Sequence, residues 1–439
     1  MMSQEQNDRL TRVGPDTGAG AVLRRYWQPA ALSEELMSAR PVVPVRLLGE
    51  DLVLFRDNKG DLGLIGRHCP HRGADLCYGR REDNGLRCPF HGWHFDRNGQ
   101  CVEQPGEPEG SQMYKNISTV SYPVEERNGI VFAYMGPGDP PPFPALDCFA
   151  APDTHVFAFK GLWECNWLQA MEVGIDPAHA SFLHRFLQDE DPNEGYGKQF
   201  RDKAANTDIP MTQLLREYPR PEIKVEEAEH GLRIISLRHL DDGRSHVRVT
   251  NQLFPEAIVI PMSNEMTITQ WHVPIDDENC YWFSMFTSFG KPVDKPLMRE
   301  QRLKEHRLPD YAPLKNKRNN YGFNPDEQES LTYTGMGLDI NVHDQWAVES
   351  MGHIQDRTQE HLGRTDIAIS KYRRMLLAAI KNVEEGGEEE LPMRRTDVDT
   401  GAIRGPISID AIGPTDEWEE VWKKADAERR SSCQWNAAI

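Results

Sequence analysis

The chain has 439 residues, with 50 Lys and Arg against 69 Asp and Glu, a formal net charge of −19. An apolar share of 38%, a charged share of 27% and a mean hydropathy of −0.64 describe a water-soluble globular protein of about two or three domains. So acidic a balance excludes an ordinary nucleic-acid binder, whose phosphate contacts need a basic face. The longest aliphatic run near a helix signal, Met375 to Ile380, is far short of the roughly 20 residues of a membrane span. The polar start MMSQEQNDRL has no secretory apolar segment, so a cytoplasmic protein is expected.

Strands are predicted over 42–66, where PVVPVRLLGEDLVLFRD holds two β-rich runs around Gly49-Glu50-Asp51 and Asp57-Asn58-Lys59-Gly60 punctuates before Leu62. Short strands continue to Val131–Tyr134. GPGDPPPFP, Gly136 to Pro144, reads as a linker, because adjacent prolines fit neither a helix nor a central strand. Beyond it, helical signal covers Trp163–Leu187. Strand-like runs follow at Leu232–Leu237, Val247–Thr250, Ala257–Pro261 and Tyr281–Thr287. Helical periodicity returns over 344–384, through Ile367, Tyr372, Leu376 and Ile380, then come a solvated Glu384–Glu390 and a short helix near Glu417–Arg430. Strands with flanking helices predict an α+β domain on an antiparallel sheet. The expected division is an N-terminal segment at 1–40 packed on the second domain, a small all-β domain at 41–140, and the second domain with its tail at 145–439.

Eight cysteines in a chain this long make no disulfide scaffold. Cys77, Cys101, Cys148, Cys165, Cys280 and Cys433 are scattered, as inert thiols would be. Cys69 and Cys88 belong to a pattern, C-x-H-x16-C-x2-H, made by Cys69, His71, Cys88 and His91. Two thiolates and two imidazoles in two short pairs can hold zinc or a [2Fe–2S] cluster. Each pair mixes Cys with His, each Cys precedes Pro, and Gly73 and Gly92 follow the histidines, which suits a cluster clamped between two turns. With CPFHGWHFD at its second loop, the pattern resembles the Rieske proteins, in which two imidazoles replace two thiolates and raise the cluster's potential.

After the linker, Asp176, His179 and His184 form D-x2-H-x4-H. On an ideal helix Asp176 and His179 share a face, but the two histidines lie roughly 140° apart, so both reach one ion only if the helix is distorted or ends near one of them. Asp176-Pro177 could equally cap a helix, and the histidines could be core residues. This element after a Rieske pattern resembles the Rieske-type oxygenases, and RVGP at 12–15, LRRYWQP at 23–29 and DRTQEHLG at 356–363 resemble the phthalate-dioxygenase branch.

That resemblance implies an all-β Rieske domain followed by a helix-grip catalytic domain holding mononuclear Fe(II) on His179, His184 and a distant carboxylate. Asp344, followed five residues later by Glu349, fits the family pattern better than Asp356. It also implies that Asp176 hydrogen-bonds His179 and reaches a cluster histidine of a neighbouring subunit, His91 in relatives. The implied activity is that of a terminal oxygenase using O₂ and electrons drawn from NAD(P)H by a separate flavin and iron–sulfur reductase, since the chain shows no nucleotide-binding or plant-type ferredoxin motif of its own. Members of that branch act mostly on aromatic carboxylates, by ring dihydroxylation of phthalate-like acids or by O-demethylation of methoxylated biphenyl acids, and form head-to-tail homotrimers, singly or stacked as hexamers. An anionic substrate needs a positive anchor in so acidic a chain; Arg216, Arg233 and Arg248 are candidates, with Ser181 between the two histidines. The competing classes are a pure Rieske electron carrier and a regulatory ligand-binding module.

Overall fold

The computed structural model describes residues 2–188, 209–262, 264–387, 391–394, 405–433 and 435. Two short helices, α1 (Gln4–Thr11) and α2 (Gly18–Leu23), open the chain, followed by strand β1 (Gln28–Leu32). Then come β2 (Val42–Leu47), β3 (Glu50–Arg56) and β4 (Leu62–Gly66), a meander in that order, with a tight turn at Leu48-Gly49 where the sequence has its hairpin signal. A second antiparallel meander is formed by β5 (Arg80–Glu82), β6 (Gly85–Arg87), β7 (His94–Phe95) and β8 (Cys101–Glu103). Strands β9 (Val124–Arg127) and β10 (Ile130–Ala133) form a third sheet in the order β1-β10-β9. Thus residues 28–32 pair with the small β-rich region, while Asn7 and Arg9 bond forward to Gln355 and Glu384.

The linker lies folded against the protein. Phe143 packs on Trp27, Phe132 and Phe149, with ring centroids about 5 Å apart in each pair. After α3 (Asp147–Ala150), strand β11 (Val156–Trp163) begins the large sheet. Helices α4 (Trp167–Gly174), α5 (Ala180–Leu183) and α6 (Met211–Glu217) precede strands β12 (Glu222–Ala228), β13 (Gly231–His239), β14 (Arg244–Leu253), β15 (Ala257–Pro261), β16 (Met266–Pro274) and β17 (Cys280–Ser288). The sheet is antiparallel in the order β11-β17-β16-β15-β14-β13-β12. A late strand, β18 (Ile409–Pro414), pairs with residues 244–249 of β14 beyond the stretch that pairs with β15.

Alternation assigns the two faces of this sheet. On β13, Ile235 and Leu237 join Val247, Val249 and Trp422 under the last helix, α11 (Trp418–Ser432), whose place follows α7 (Lys295–Leu303), α8 (Pro325–Ser330), α9 (Ile340–Glu349) and α10 (Ile367–Glu384). Leu232 and Ile234 face the other way, into the main core with α4 and α10. Helix α10 buries Ala368, Tyr372, Leu376, Ala379 and Ile380, the three-and-four spacing seen in the sequence. The architecture is the expected α+β, an all-β region followed by a sheet gripped by helices. The single helical signal over Trp163–Leu187 is two helices broken at Asp176-Pro177, and that over 344–384 is likewise two.

Candidate functional site

The first site rests on two copies of one turn. Cys69 N–H donates to Ala74 O and Gly73 N–H to Cys69 O. Cys88 N–H donates to Trp93 O and Gly92 N–H to Cys88 O. Both turns need a left-handed residue four positions after the cysteine, and Gly73 (φ +76°) and Gly92 (φ +75°) supply it. The result is layered: Cys69 and Cys88 are buried, while the His71 and His91 rings meet edge to face above them with centroids 4.4 Å apart. His71 is stacked flat on Trp93, also at 4.4 Å, and His91 is exposed. Burial pushes the Cys69 thiol up to about 11, with neighbouring Cys88 adding to the shift. The first loop is tied down by Asp75, which takes the Arg67 guanidinium and the Cys77 N–H; the Arg67 bond holds its carboxyl down at about 2. All eight cysteines are free and buried.

The second site is positioned by α4. Asn166 caps the helix by accepting from Leu168 N–H, and its amide donates to Thr11 O and Asp277 O. Farther along, Glu172 is buried between Arg357 and Arg373. Burial raises its carboxyl, but the two guanidinium groups outweigh that and hold it low. With both ends of α4 fixed, the chain turns at Asp176, whose Oδ1 accepts from Ala178 N–H at 2.8 Å. Asp176 therefore closes a turn of its own, and α5 begins later, at Ala180. Being only four residues long, α5 has His179 before its first residue and His184 after its last. The helical geometry that separates the two histidines thus never extends past them.

Their side chains converge with Asp344 from the middle of α9. His179 Nε2 lies 3.2 Å from His184 Nε2, and Asp344 Oδ1 lies 3.2 Å from His184 Nε2 and 3.7 Å from His179 Nε2. These three residues form the one His/Cys/Asp/Glu group among the described residues whose ligand atoms all lie within 4.8 Å of one another. The opposite ring atoms are engaged. His179 Nδ1 donates to the Asp176 carbonyl, and His184 Nδ1 faces His343 Nδ1 at 3.5 Å, while His343 Nε2 donates to Gly337 O at 2.9 Å. Both Nε2 atoms are left as lone pairs aimed at one point, and Asp344 Oδ1, though close, makes no aligned hydrogen bond. Two acceptor nitrogens and an unpartnered carboxylate oxygen pointing at each other fit a shared cation. Burial lowers the His179 pKa, and His184 lowers it further. Burial raises the Asp344 carboxyl, but the imidazoles outweigh it and hold it low.

Asp356 is elsewhere. It is exposed and accepts from the N–H and hydroxyl of Thr358, so the two carboxylates competing for this position separate cleanly. Glu349 ends α9 as a buried tie, accepting from Glu164 N–H, Tyr321 and Gln345. The carboxylate of Asp176 stands 4.0 Å from His179 Nδ1, so the hydrogen bond to that ring comes from the Asp176 main chain and not, as the resemblance implied, from its side chain.

Two hollows meet at this turn. An open groove of about 970 Å³ and an inner cavity of about 210 Å³ both include Val173, Asp176 and His179 in their walls, and the inner one adds His184 and Asp344. Of the arginines singled out in the sequence, Arg248 lines the inner cavity but is paired with Asp410 at 2.6 Å. Arg233 lies on the opposite face of β13, paired with Glu226 and stacked over Trp422. Arg216 is on α6, outside both linings, 3.8 Å from Glu217. The residue missed is Arg238. It is buried in the cavity wall, its Nη2 donates to Ser181 Oγ at 3.0 Å, and it makes no ion pair with any described carboxylate. Burial, then nearby Arg248, brings its pKa down to about 10, so it keeps its charge. Strand alternation from Ile234 would have found it.

Residues 26–123 match the Rieske [2Fe-2S] domain, and residues 133–429 match a family described as LigXa C-terminal domain like. The phthalate 4,5-dioxygenase oxygenase subunit of Pseudomonas putida is 34% identical over 413 residues, 90% of this chain and 91% of that one. The chain is a Rieske oxygenase. The 5,5'-dehydrodivanillate O-demethylase oxygenase subunit of Sphingobium is 32% identical to this oxygenase over 94% of its chain and 88% of the relative. Dicamba monooxygenase bound to dicamba shares the fold, with a TM-score of 0.54 at 18% identity, covering 83% of the oxygenase and 99% of that chain. The oxygenase is thus an oxidoreductase, the terminal component of its system, with a Rieske domain and a sheet-and-helix catalytic region. No helix among its described residues is long and apolar enough to cross a membrane.

Proposed function

We propose that this Rieske oxygenase uses O₂ to hydroxylate an aromatic carboxylate, with ring cis-dihydroxylation of a phthalate-like acid as its reaction. The region 41–140 would hold a [2Fe–2S] cluster on Cys69, His71, Cys88 and His91, and the region 145–439 would hold Fe(II) on His179, His184 and Asp344. When bound, the cluster supplies single electrons and the ferrous ion supplies open positions for O₂. The chain's own residues prepare this. The Asp176 carbonyl and His343 keep the outer ring nitrogens of His179 and His184 occupied, which directs both Nε2 lone pairs inward. The carboxylate of Asp176 lies in the wall between groove and cavity, where it can join a neighbour's cluster histidine to this site.

Exposed Phe182, Trp346, Met351 and Leu362 border or line that groove, and the cluster loops present exposed Phe90, His91 and Tyr78. Two such surfaces on one chain support a head-to-tail homotrimer in which one protomer's His91 meets the next protomer's Asp176. Electrons would come from a separate reductase drawing on NAD(P)H.

The observation that carries the substrate class is Arg238, a buried cation that forms no ion pair with any carboxylate of the described residues, Asp410 acting on it only from beyond contact, in the wall of the cavity that His179, His184 and Asp344 also line. A buried charge in that state is compensated when a carboxylate enters. Arg238→Met is expected to raise KM for aromatic acids at least about 30-fold, roughly 2 kcal/mol, while leaving the neutral amides of those acids unaffected. Oxygen uptake with a generic reductase across a panel of aromatic acids, followed by product mass, tests the reading; equal KM changes for acid and amide would refute it. The second reading, O-demethylation of a methoxylated aromatic acid, is supported by the 32% identity to the O-demethylase over most of both chains.

A further inference from the structure

The cluster region has a second exposed surface, beside the loop tips proposed to meet the next protomer. Met37 and Tyr78 are 79% and 75% exposed, the two most exposed large apolar side chains among the described residues. They belong to distant segments that one side chain joins. Arg40 Nη2 donates to Cys77 O and Gly79 O, the carbonyls on either side of Tyr78, at 2.5 and 2.9 Å. Strand β5 continues from this turn with Arg80, which is exposed and pairs across the ladder with Arg87, the residue before Cys88. One antiparallel rung and one residue place the Arg80 backbone within about 9 Å of the Cys88 backbone. The surface is thus a flank of the cluster site. Tyr78 is the residue it shares with the tip, where the His71 and His91 rings meet and Arg72 covers Phe90.

Charge sets this flank apart in a chain at net −19. Over residues 33–40 and 75–83, Glu34 is engaged by Arg299, Glu35 by Lys160, Asp75 by Arg67 and Glu82 by Arg87. Asp83 is the remaining acid there. Against it stand Arg40, Arg80 and Arg81, which form no ion pair with any described carboxylate; Arg40 and Arg81 bond to main-chain oxygens instead. An exposed apolar pair rimmed by unneutralised arginines suits a contact that is made and broken with a partner. The cluster must receive an electron from outside in every cycle, and a tip seated on the next protomer is closed to a second visitor.

We propose that Met37, Tyr78, Arg40 and Arg80 form the docking surface for the electron donor, an acidic one-electron carrier whose carboxylates meet the two arginines around an apolar spot on Met37. This rests on the reading of Cys69, His71, Cys88 and His91 as cluster ligands supplied by a separate protein. In the complex the donor loses one electron and the cluster gains it, with no bond made or broken. The charge of the chain as a whole repels an acidic carrier, so the local positive field both steers the carrier and selects the face it meets. A carrier seated here abuts the next protomer at Tyr78.

The test uses the purified holoenzyme with an acidic plant-type [2Fe–2S] ferredoxin as the probe. Binding is read on immobilised oxidised ferredoxin, and cluster reduction by reduced ferredoxin is read by stopped-flow absorbance. Wild type is expected to bind at low salt and to lose about tenfold in affinity as salt rises from about 0.02 to about 0.2 M. Arg40 also holds the Tyr78 turn, so Arg80→Glu is the decisive variant; its side chain makes no hydrogen bond or ion pair among the described residues. Arg80→Glu should lower affinity and the second-order reduction rate about tenfold and flatten the salt dependence. Met37→Ser should lower both about threefold and keep the salt dependence. Reduction by dithionite, which needs no docking, should be unchanged in both. Unaltered ferredoxin binding and reduction in Arg80→Glu overturn the docking surface. Wild-type binding that is absent at low salt, or indifferent to salt, overturns the acidic partner. Dissociation of Arg80→Glu into single protomers shows that the neighbouring protomer covers this flank, and overturns the donor's place on it. A holoenzyme without the cluster's visible spectrum refutes the ligand reading instead.

Discussion

The two candidate centres lie in one chain but are built in opposite ways. At the cluster loops, every proposed ligand comes from one of two nearly identical turns, each closed by its own backbone bonds and its own glycine. At the triad, the proposed ligands come from the two ends of a one-turn helix and from the middle of α9, far along the sequence. The first is local geometry with side chains attached. The second exists only because the large sheet, α4 and α9 pack as they do. Damage to one centre should therefore leave the other intact.

Removing a triad ligand is the strongest test of that independence. His184→Ala is expected to take iron content from about three to about two per chain and abolish oxygen uptake, with the visible spectrum of the cluster unchanged. Loss of the cluster spectrum in this variant would mean that the two regions do not fold separately, and retention of all the iron would dismiss the ligand assignment. Elemental analysis and absorbance on one sample decide between these.

A gentler change sharpens the comparison at the point where the two centres are proposed to meet. Asp176→Asn keeps an oxygen that can accept from Ala178 N–H, and it keeps the main-chain carbonyl that holds His179. Only the charge and the outward acceptor are altered. Both metal centres should persist while turnover falls about 10- to 100-fold, the usual cost of losing an outer-shell partner. Single-turnover oxidation of the reduced cluster reports this directly, and a rate within a few-fold of wild type would remove Asp176 from the electron path.

The same contrast explains what could be read in advance. The cluster motif is legible because its spacing is its geometry: Cys, then Gly four residues later, occurs twice. The candidate triad is only half legible. His179 and His184 look incompatible with one ion on an ideal helix, and what resolves them is where α5 starts and stops, set by the Asp176 turn. Asp344 and Asp356 are separated by packing, since one enters the interior from α9 and the other caps an exposed turn. Arg233 is one of the three candidate anchors in the sequence, yet the strand's period of two turns it toward α11 and presents Arg238 instead. A face cannot be assigned before the partners of the sheet are known, and those partners lie across the sequence.

The smallest expected effect lies within the cluster region, between its two equivalent turns. Gly73 and Gly92 have the same backbone conformation, so an added Cβ meets the same left-handed strain of about 1–2 kcal/mol at each. Their surroundings differ. Nothing lies within 4 Å of a Cβ at Gly73, whereas one at Gly92 would stand 2.7 Å from Pro105 Cγ. Pro105 is a ring with little freedom to withdraw, so Gly92→Ala should cost more than Gly73→Ala by the price of that clash. The temperature at which the cluster's visible absorbance bleaches should fall for both variants and further for Gly92→Ala. Equal shifts would show that the second loop yields as easily as the first, and an unchanged temperature in both would show that the turns owe their shape to the bound cluster and not to their glycines.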